Sequence, residues 1–141
     1  MKHLIRHILI LFLGISLGIA GTVYHYNQKG PPAISEDLKR ISAPKLYAAY
    51  KANEEKSNRK YWNRPLEVEG IVQEVYQTSD GNLRVHLRGN SGYHGVTCKL
   101  HNARKQLVIP LEIGSSVTLQ GYCFGMDKNV RLVDCVLVGK P

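Results

Sequence analysis

Cysteine, aromatic rings and acidic side chains are all scarce in this chain. Its 141 residues include three cysteines, one tryptophan, two phenylalanines and 11 acids. Three cysteines cannot staple a disulfide-built scaffold, and an odd number leaves at least one unpaired within a monomer. None follows the N-terminal apolar run, where a lipid-modified anchor would need one. Catalytic constellations are missing as well. Gly89-Asn-Ser-Gly92 lacks the flanks of a nucleophile elbow, and no carboxylate–histidine pair is placed to activate Ser91. Glu67 and Glu69 share one strand face and read as solvent-facing positions, not as an acid/base pair. His94-x3-Cys98-x2-His101 has zinc-type ligands, but alternation sends Cys98 and His101 to opposite faces, so no metal is expected. The reading is non-enzymatic, with no cofactor implied.

What the chain does have is positive charge: 19 Lys+Arg, for a formal net charge of +8. It is unevenly placed. Residues 66–141 carry eight basic and seven acidic side chains, residues 29–65 carry nine and four, and Lys2 and Arg6 supply the remainder. A strongly basic domain would suggest nucleic acid, whereas a nearly neutral one disfavours it without excluding it.

The N-terminus has one long apolar run. Lys2 and Arg6 precede Ile8–Val23, which contains no charge. A basic flank before such a run is read by the secretion machinery. Leu4–Tyr24 meets the roughly 17–25 residues a membrane-spanning helix needs, with Tyr24 and Tyr26 at the far interface. We expect a signal anchor over residues 1–26, with cleavage near Gly18-Ile19-Ala20 and release to the periplasm as the alternative. Lys2 and Arg6 would hold the N-terminus in the cytoplasm and send the rest of the chain outward, a single-pass topology.

Residues 27–41 read as a linker, broken by Gly30, Pro31 and Pro32, with a turn of helix over Ser35–Ile41. Ser42 is a suitable N-cap, with Pro44 in the first turn, for a helix running to about Lys56. Leu46, Tyr47, Ala49, Tyr50 and Asn53 form its stripe.

After Pro65 the pattern changes to short β-branched runs between turn residues. They predict strands over Leu66–Tyr76, Leu83–Arg88, Val96–His101, Ser116–Phe124 and Val130–Val138. Gly70 marks a bulge or coil point in the first, Ser79-Asp-Gly-Asn82 a tight turn, and Asn102–Leu107 a one-turn helix. A long first strand, a hairpin, a short helix and a closing hairpin give the five-stranded Greek-key order of an OB-fold within residues 42–141, with an SH3-like barrel as the rival. The fold class is thus mainly β, preceded by one α-helix and the N-terminal membrane segment.

Several blocks resemble a known family. They are Leu46-Tyr-Ala-Ala-Tyr50 with Asn53-Glu54, Tyr61, Leu66-Glu-Val-Glu-Gly-Ile-Val72, Gly95-Val96-x-Cys98, Gly114-x-x-Val-Thr-Leu-Gln-Gly-Tyr-Cys123 and Leu132-Val-Asp-Cys-Val-Leu137. Together they are similar to the tRNA-anti-like OB-fold family of bacterial proteins. The resemblance implies the barrel and an N-terminal signal or anchor segment. The family name records a likeness to anticodon-binding barrels and carries no activity.

The binding candidate is the outer face of the second and third strands: Arg84, His86 and Arg88 with Lys99 and His101. Pairing across Gly89–Gly95 is expected to set Arg88 beside Thr97, His86 beside Lys99 and Arg84 beside His101. Such a face suits phosphate, sulfate or carboxylate groups, so the expected partner is a protein or a small anionic ligand. Single-strand binding needs exposed rings, and only Tyr93, Tyr122 and Phe124 are near. Cys123 and Cys135 share inward parity on the closing hairpin and form a candidate disulfide, with Cys98 an alternative partner for either.

Overall fold

A computed structural model describes residues 38–90, 92–101 and 111–139, all within the compact unit of residues 31–141. The N-terminal apolar segment, most of the linker and the expected helix at Asn102–Leu107 lie outside the described residues. Among the described residues no helix is long and apolar enough to cross a membrane.

The first described element is a strand, β1 (Lys39–Ser42), where the expected turn of helix over Ser35–Ile41 would reach. It runs parallel to β2 (Pro65–Gln77), with Arg40 opposite Glu67 and Ile41 opposite Val68. The half-buried Ile41 packs on the core, and Arg40 ion-pairs with Glu67; a helical turn would break both contacts.

The single helix expected to Lys56 is two: α1 (Ala43–Ala52) and α2 (Glu54–Tyr61). Asn53 separates them. Its backbone is extended, and its side chain accepts the N–H of Lys56 at 2.8 Å, so it caps α2 instead of extending the stripe of α1. Ser42 stands at the N-cap of α1 but makes no side-chain cap bond.

The remaining strands are β3 (Leu83–Arg88), β4 (Gly95–Leu100), β5 (Ser116–Met126) and β6 (Val130–Gly139). They pair in the order β2-β3-β4-β6-β5, and β5 returns to β2, so five strands close with β1 outside. Only β4–β6 is parallel among the barrel pairings. This closed order is that of the OB-fold and removes the SH3-like alternative. Closure leaves β1 as the edge, four residues long with Lys39 and Arg40 exposed, which discourages pairing with another chain.

Val68, Val72, Val85, Leu87, Val96, Cys98, Val117, Leu119, Cys123, Val130 and Cys135 fill the interior at 0% exposure. Helix α1 buries Ala43, Leu46 and Tyr50 in the same cluster, packing against β1, β2, β3, β4 and β6. Gly70 is explained by that helix. A Cβ there would lie 3.0 Å from Ala43 Cβ and 3.1 Å from Leu87 Cβ, so the glycine admits α1 rather than marking the bulge.

The bulges lie elsewhere and decide which side chains face outward. In β2 the register slips between Val72 and Glu74, so that Val72 and Val75 pair with the inward Leu87 and Val85. Beyond the slip, Glu74 and Tyr76 turn outward. In β6, Leu132 and Cys135 are both buried although three residues apart, with Asp134 at φ 52 between them.

Candidate functional site

Alternation and the β2 bulge bring the outward residues of neighbouring strands into rows. One row runs Tyr76–Arg84–Lys99 across β2, β3 and β4. The next runs Glu74–His86–Thr97 and continues to Arg131 on β6. Arg88 lies opposite Gly95 in the third. The β3–β4 pairing is therefore shifted by two residues from expectation: Arg84 meets Lys99 rather than His101, and His86 meets Thr97 rather than Lys99. An even shift keeps every side chain on its face but changes its neighbour.

Arg84 and Lys99 stand directly opposite, and like charges so placed repel. Neither forms an ion pair within the described residues. The Nε of Arg84 is also buried without a hydrogen-bond partner. An acceptor placed between the two cations would relieve both conditions.

His86 departs from the expected open placement, being only 5% exposed. Its Nε2 is 2.7 Å from the Tyr93 carbonyl, and its Nδ1 is 3.0 Å from Thr97 Oγ1. A carbonyl only accepts, so Nε2 carries the proton, and in the neutral ring Nδ1 accepts the Thr97 hydroxyl. His86 thus ties the β3–β4 loop to the sheet and forms the floor of a cleft of about 200 Å³ lined also by Glu74, Tyr76, Tyr93 and Asn129. Pockets that enclose a drug-sized molecule run to ~300–1,000 Å³, so this one, with Glu74 and two tyrosines in its wall, suits a small hydrogen-bonding group or the edge of a ring. Asn129 braces its rim, with Oδ1 accepting the Gly95 N–H at 3.0 Å.

His101 is separated from this face by its own partner: its Nδ1 is 3.5 Å from Asp134 Oδ1. His94 goes elsewhere again, its ring parallel to that of Tyr47 at 6.3 Å. His94, Cys98 and His101 do not converge, and no group of three metal-ligating side chains occurs among the described residues.

Three contributors to the face were missed in the sequence. Tyr76 has inward parity until the bulge is counted; the three-residue spacing of Val72 and Val75 was the signal. Arg131 becomes visible only once β6 is placed beside β4. Trp62 stacks on Phe124 at 4.9 Å between centroids, both rings nearly half exposed, and the Arg131 guanidinium lies 5.9 Å from the Phe124 ring.

Glu67 is not solvent-facing. It is 8% exposed, accepts Gln120 Nε2 at 3.0 Å and ion-pairs with Arg40. The Gln120 bond, followed by Arg40, holds its carboxyl below the usual range against the opposing effect of burial. Glu69 remains exposed, so the two carboxylates occupy different environments. Cys123, Cys135 and Cys98 are all free thiols, and the candidate pair Cys123 and Cys135 is not opposed. Leu132, not Cys135, stands opposite Cys123, whose thiol lies 3.2 Å from the Tyr50 hydroxyl.

Comparison with known proteins agrees with this fold. The model of the tRNA_anti-like family matches residues 1–136. A solved lipoprotein of Klebsiella pneumoniae, to which nucleic-acid binding is ascribed, superposes with a TM-score of 0.61 at 17% identity, over 72% of this chain and 92% of its own. At that identity the likeness is one of fold. No curated protein matches the chain.

Proposed function

The chain belongs to the tRNA_anti-like family, and we propose that it is a non-enzymatic, membrane-tethered binding module that takes an anionic group on the outer face of its barrel. Residues 8–23 would anchor it, with the barrel on the extracytoplasmic side. The ligand is a protein carboxylate or a small anion, held by Arg84 and Lys99 with Arg88 and Arg131 flanking. The carrying observation is the direct opposition of Arg84 and Lys99 without a compensating carboxylate. An anion bound there converts repulsion into two charge-assisted bonds.

A second reading, single-stranded nucleic acid, is favoured by one feature: Tyr76 and Tyr93 border the cations on one side and the Trp62–Phe124 stack on the other. Stacking platforms beside cations suit bases joined by phosphates. The nucleic-acid binding ascribed to the Klebsiella protein points the same way.

Full-length protein in detergent, titrated with pyrophosphate, a carboxylate-rich peptide and a labelled oligothymidylate, tests both. Charged hydrogen bonds contribute ~1.5–3 kcal/mol each, so losing both in Arg84→Ala with Lys99→Ala should weaken binding at least about a hundredfold. Oligothymidylate binding that falls steeply with salt and drops in Tyr93→Ala would select the second reading. Equal binding by wild type and the double variant, or none of any probe, would refute the face.

A further inference from the structure

We propose that Cys98 and Cys135 are a disulfide-forming pair that cross-links β4 to β6, and that Cys123 remains a thiol. Parity alone offers Cys123 and Cys135 as partners and leaves Cys98 as an alternative for either. The bulge in β6 separates Cys123 from Cys135. Tyr122 pairs with Val133 and Gln120 with Val136, so Gly121 alone stands against both Asp134 and Cys135. Asp134 in the left-handed region turns Cys135 back into the barrel on the β4 side. There Cys135 pairs with Leu100 of β4, two residues along the same inward face from Cys98, so the Cys98 thiol is its diagonal neighbour across the β4–β6 pairing and lies within hydrogen-bonding reach. The Cys135 carbonyl accepts the His101 N–H at 2.8 Å, fixing the backbone beside β4. Gly121 supplies the room, since a Cβ there would lie 2.5 Å from the Cys135 sulfur. Cys123 has a different neighbour, Tyr50, on α1.

The cross-link would sit at the barrel's parallel pairing, which is slightly weaker per residue than an antiparallel one. It would lie beneath Thr97, Lys99 and Arg131 and hold their strands in register under the ligand face. The oxidant is a small-molecule disulfide such as oxidised glutathione. One protein thiolate attacks an oxidant sulfur, forming a mixed disulfide and releasing one glutathione. The second thiolate attacks that mixed disulfide, closes the Sγ–Sγ bond and releases the other. The two protein thiol protons end on the two released thiols. All three cysteines are 0% exposed, so the exchange requires local opening of the barrel.

The test is independent of ligand and compartment. Full-length protein is incubated to completion with excess oxidised glutathione in urea just below its unfolding midpoint, then alkylated in denaturant and mapped without reduction. The expected product joins the Cys98 and Cys135 peptides, two hydrogens lighter, with Cys123 alkylated. Its urea midpoint should rise and return on adding reductant, and Cys123→Ser should retain the link. A bridge that includes Cys123, or three cysteines not bridged within the chain after this treatment, would overturn the proposal.

Discussion

The β5–β6 register makes a sharp prediction at Gly121. Alanine there places a methyl 2.5 Å from Cys135 Sγ and 3.0 Å from the Val133 carbonyl, where carbon contacts prefer roughly 3.5–4.0 Å. Overpacking of this kind costs ~1–3 kcal/mol. Against it, replacing glycine lowers the entropy of the unfolded chain, an offset of about 0.4–1 kcal/mol. Gly121→Ala should therefore destabilise the reduced protein by ~1–2 kcal/mol. Cys135→Ala removes the sulfur the new methyl meets, and alone it should cost about 1 kcal/mol for lost packing. If the two sites touch, the double variant should cost less than the sum of the two, because only the backbone contacts of the methyl remain, with a coupling of about 1 kcal/mol. Urea unfolding of the four proteins in reductant measures each term. Additivity within ~0.5 kcal/mol would mean that the sulfur is not beside Gly121, and the bulge at Asp134 would fall with it.

Other consequences follow from single contacts. Tyr50→Phe leaves the Cys123 thiol without its hydroxyl partner and should cost ~0.5–1.5 kcal/mol by urea unfolding. Asn129→Ala leaves the Gly95 N–H without its acceptor and should cost about 1 kcal/mol, with faster amide exchange at Gly95. Lys99→Gln should stabilise the unliganded protein by ~0.2–1 kcal/mol while weakening anion binding, because it removes the repulsion with Arg84. Acid titration should find Glu67. Its carboxyl is lowered in the folded state, so its contribution is complete above the unfolded value near ~4.3 and is lost as pH falls through the folded one. Asp80, lowered to about 2 by Thr78 and Asn82, adds to the same acid limb. Glu67→Gln should flatten stability against pH below about 4, and an unchanged slope would show that the carboxylate is not held by Gln120 and Arg40.

Much of the barrel was legible because alternation and turn chemistry are local signals. Val85 and Leu87 inward, with Arg84 and Arg88 outward, needed only the period of a strand. The Ser79–Asn82 turn needed only Asp80 and Gly81, the latter at φ 77. What failed was register and its interruptions. Tyr76 follows a bulge, and one inserted residue reverses the parity of everything beyond it. Cys135 faces inward as expected, but the bulge before it sets Leu132 rather than Cys135 opposite Cys123. The trace of each bulge in the sequence is a pair of core residues three apart within a strand, Val72/Val75 and Leu132/Cys135. Asn53 failed for another reason: it fits helical spacing but competes for backbone as a cap. The burial of Glu67 depended on β1, whose arrival from an apparent linker leaves no pattern in β2 itself.

Charge shows the same limit at the scale of the domain. Eight basic and seven acidic residues over 66–141 make the barrel nearly neutral, and that sum was weighed against polyanion binding. The structure segregates what the sum combines. Glu67 is neutralised by Arg40 at β1, Asp134 lies against His101, and Asp80 and Asp127 sit in turns. Arg84, Arg88, Lys99 and Arg131 project from consecutive strands on one face, where Glu74 is the acid in the same rows. At physiological salt, charges beyond about 8 Å of each other are largely screened, so a ligand on that face responds to these four cations and hardly to acids across the barrel. Anion recognition therefore turns on which strands are neighbours, and the parallel β4–β6 pairing that brings Arg131 beside Thr97 and next to Lys99 is what assembles the patch.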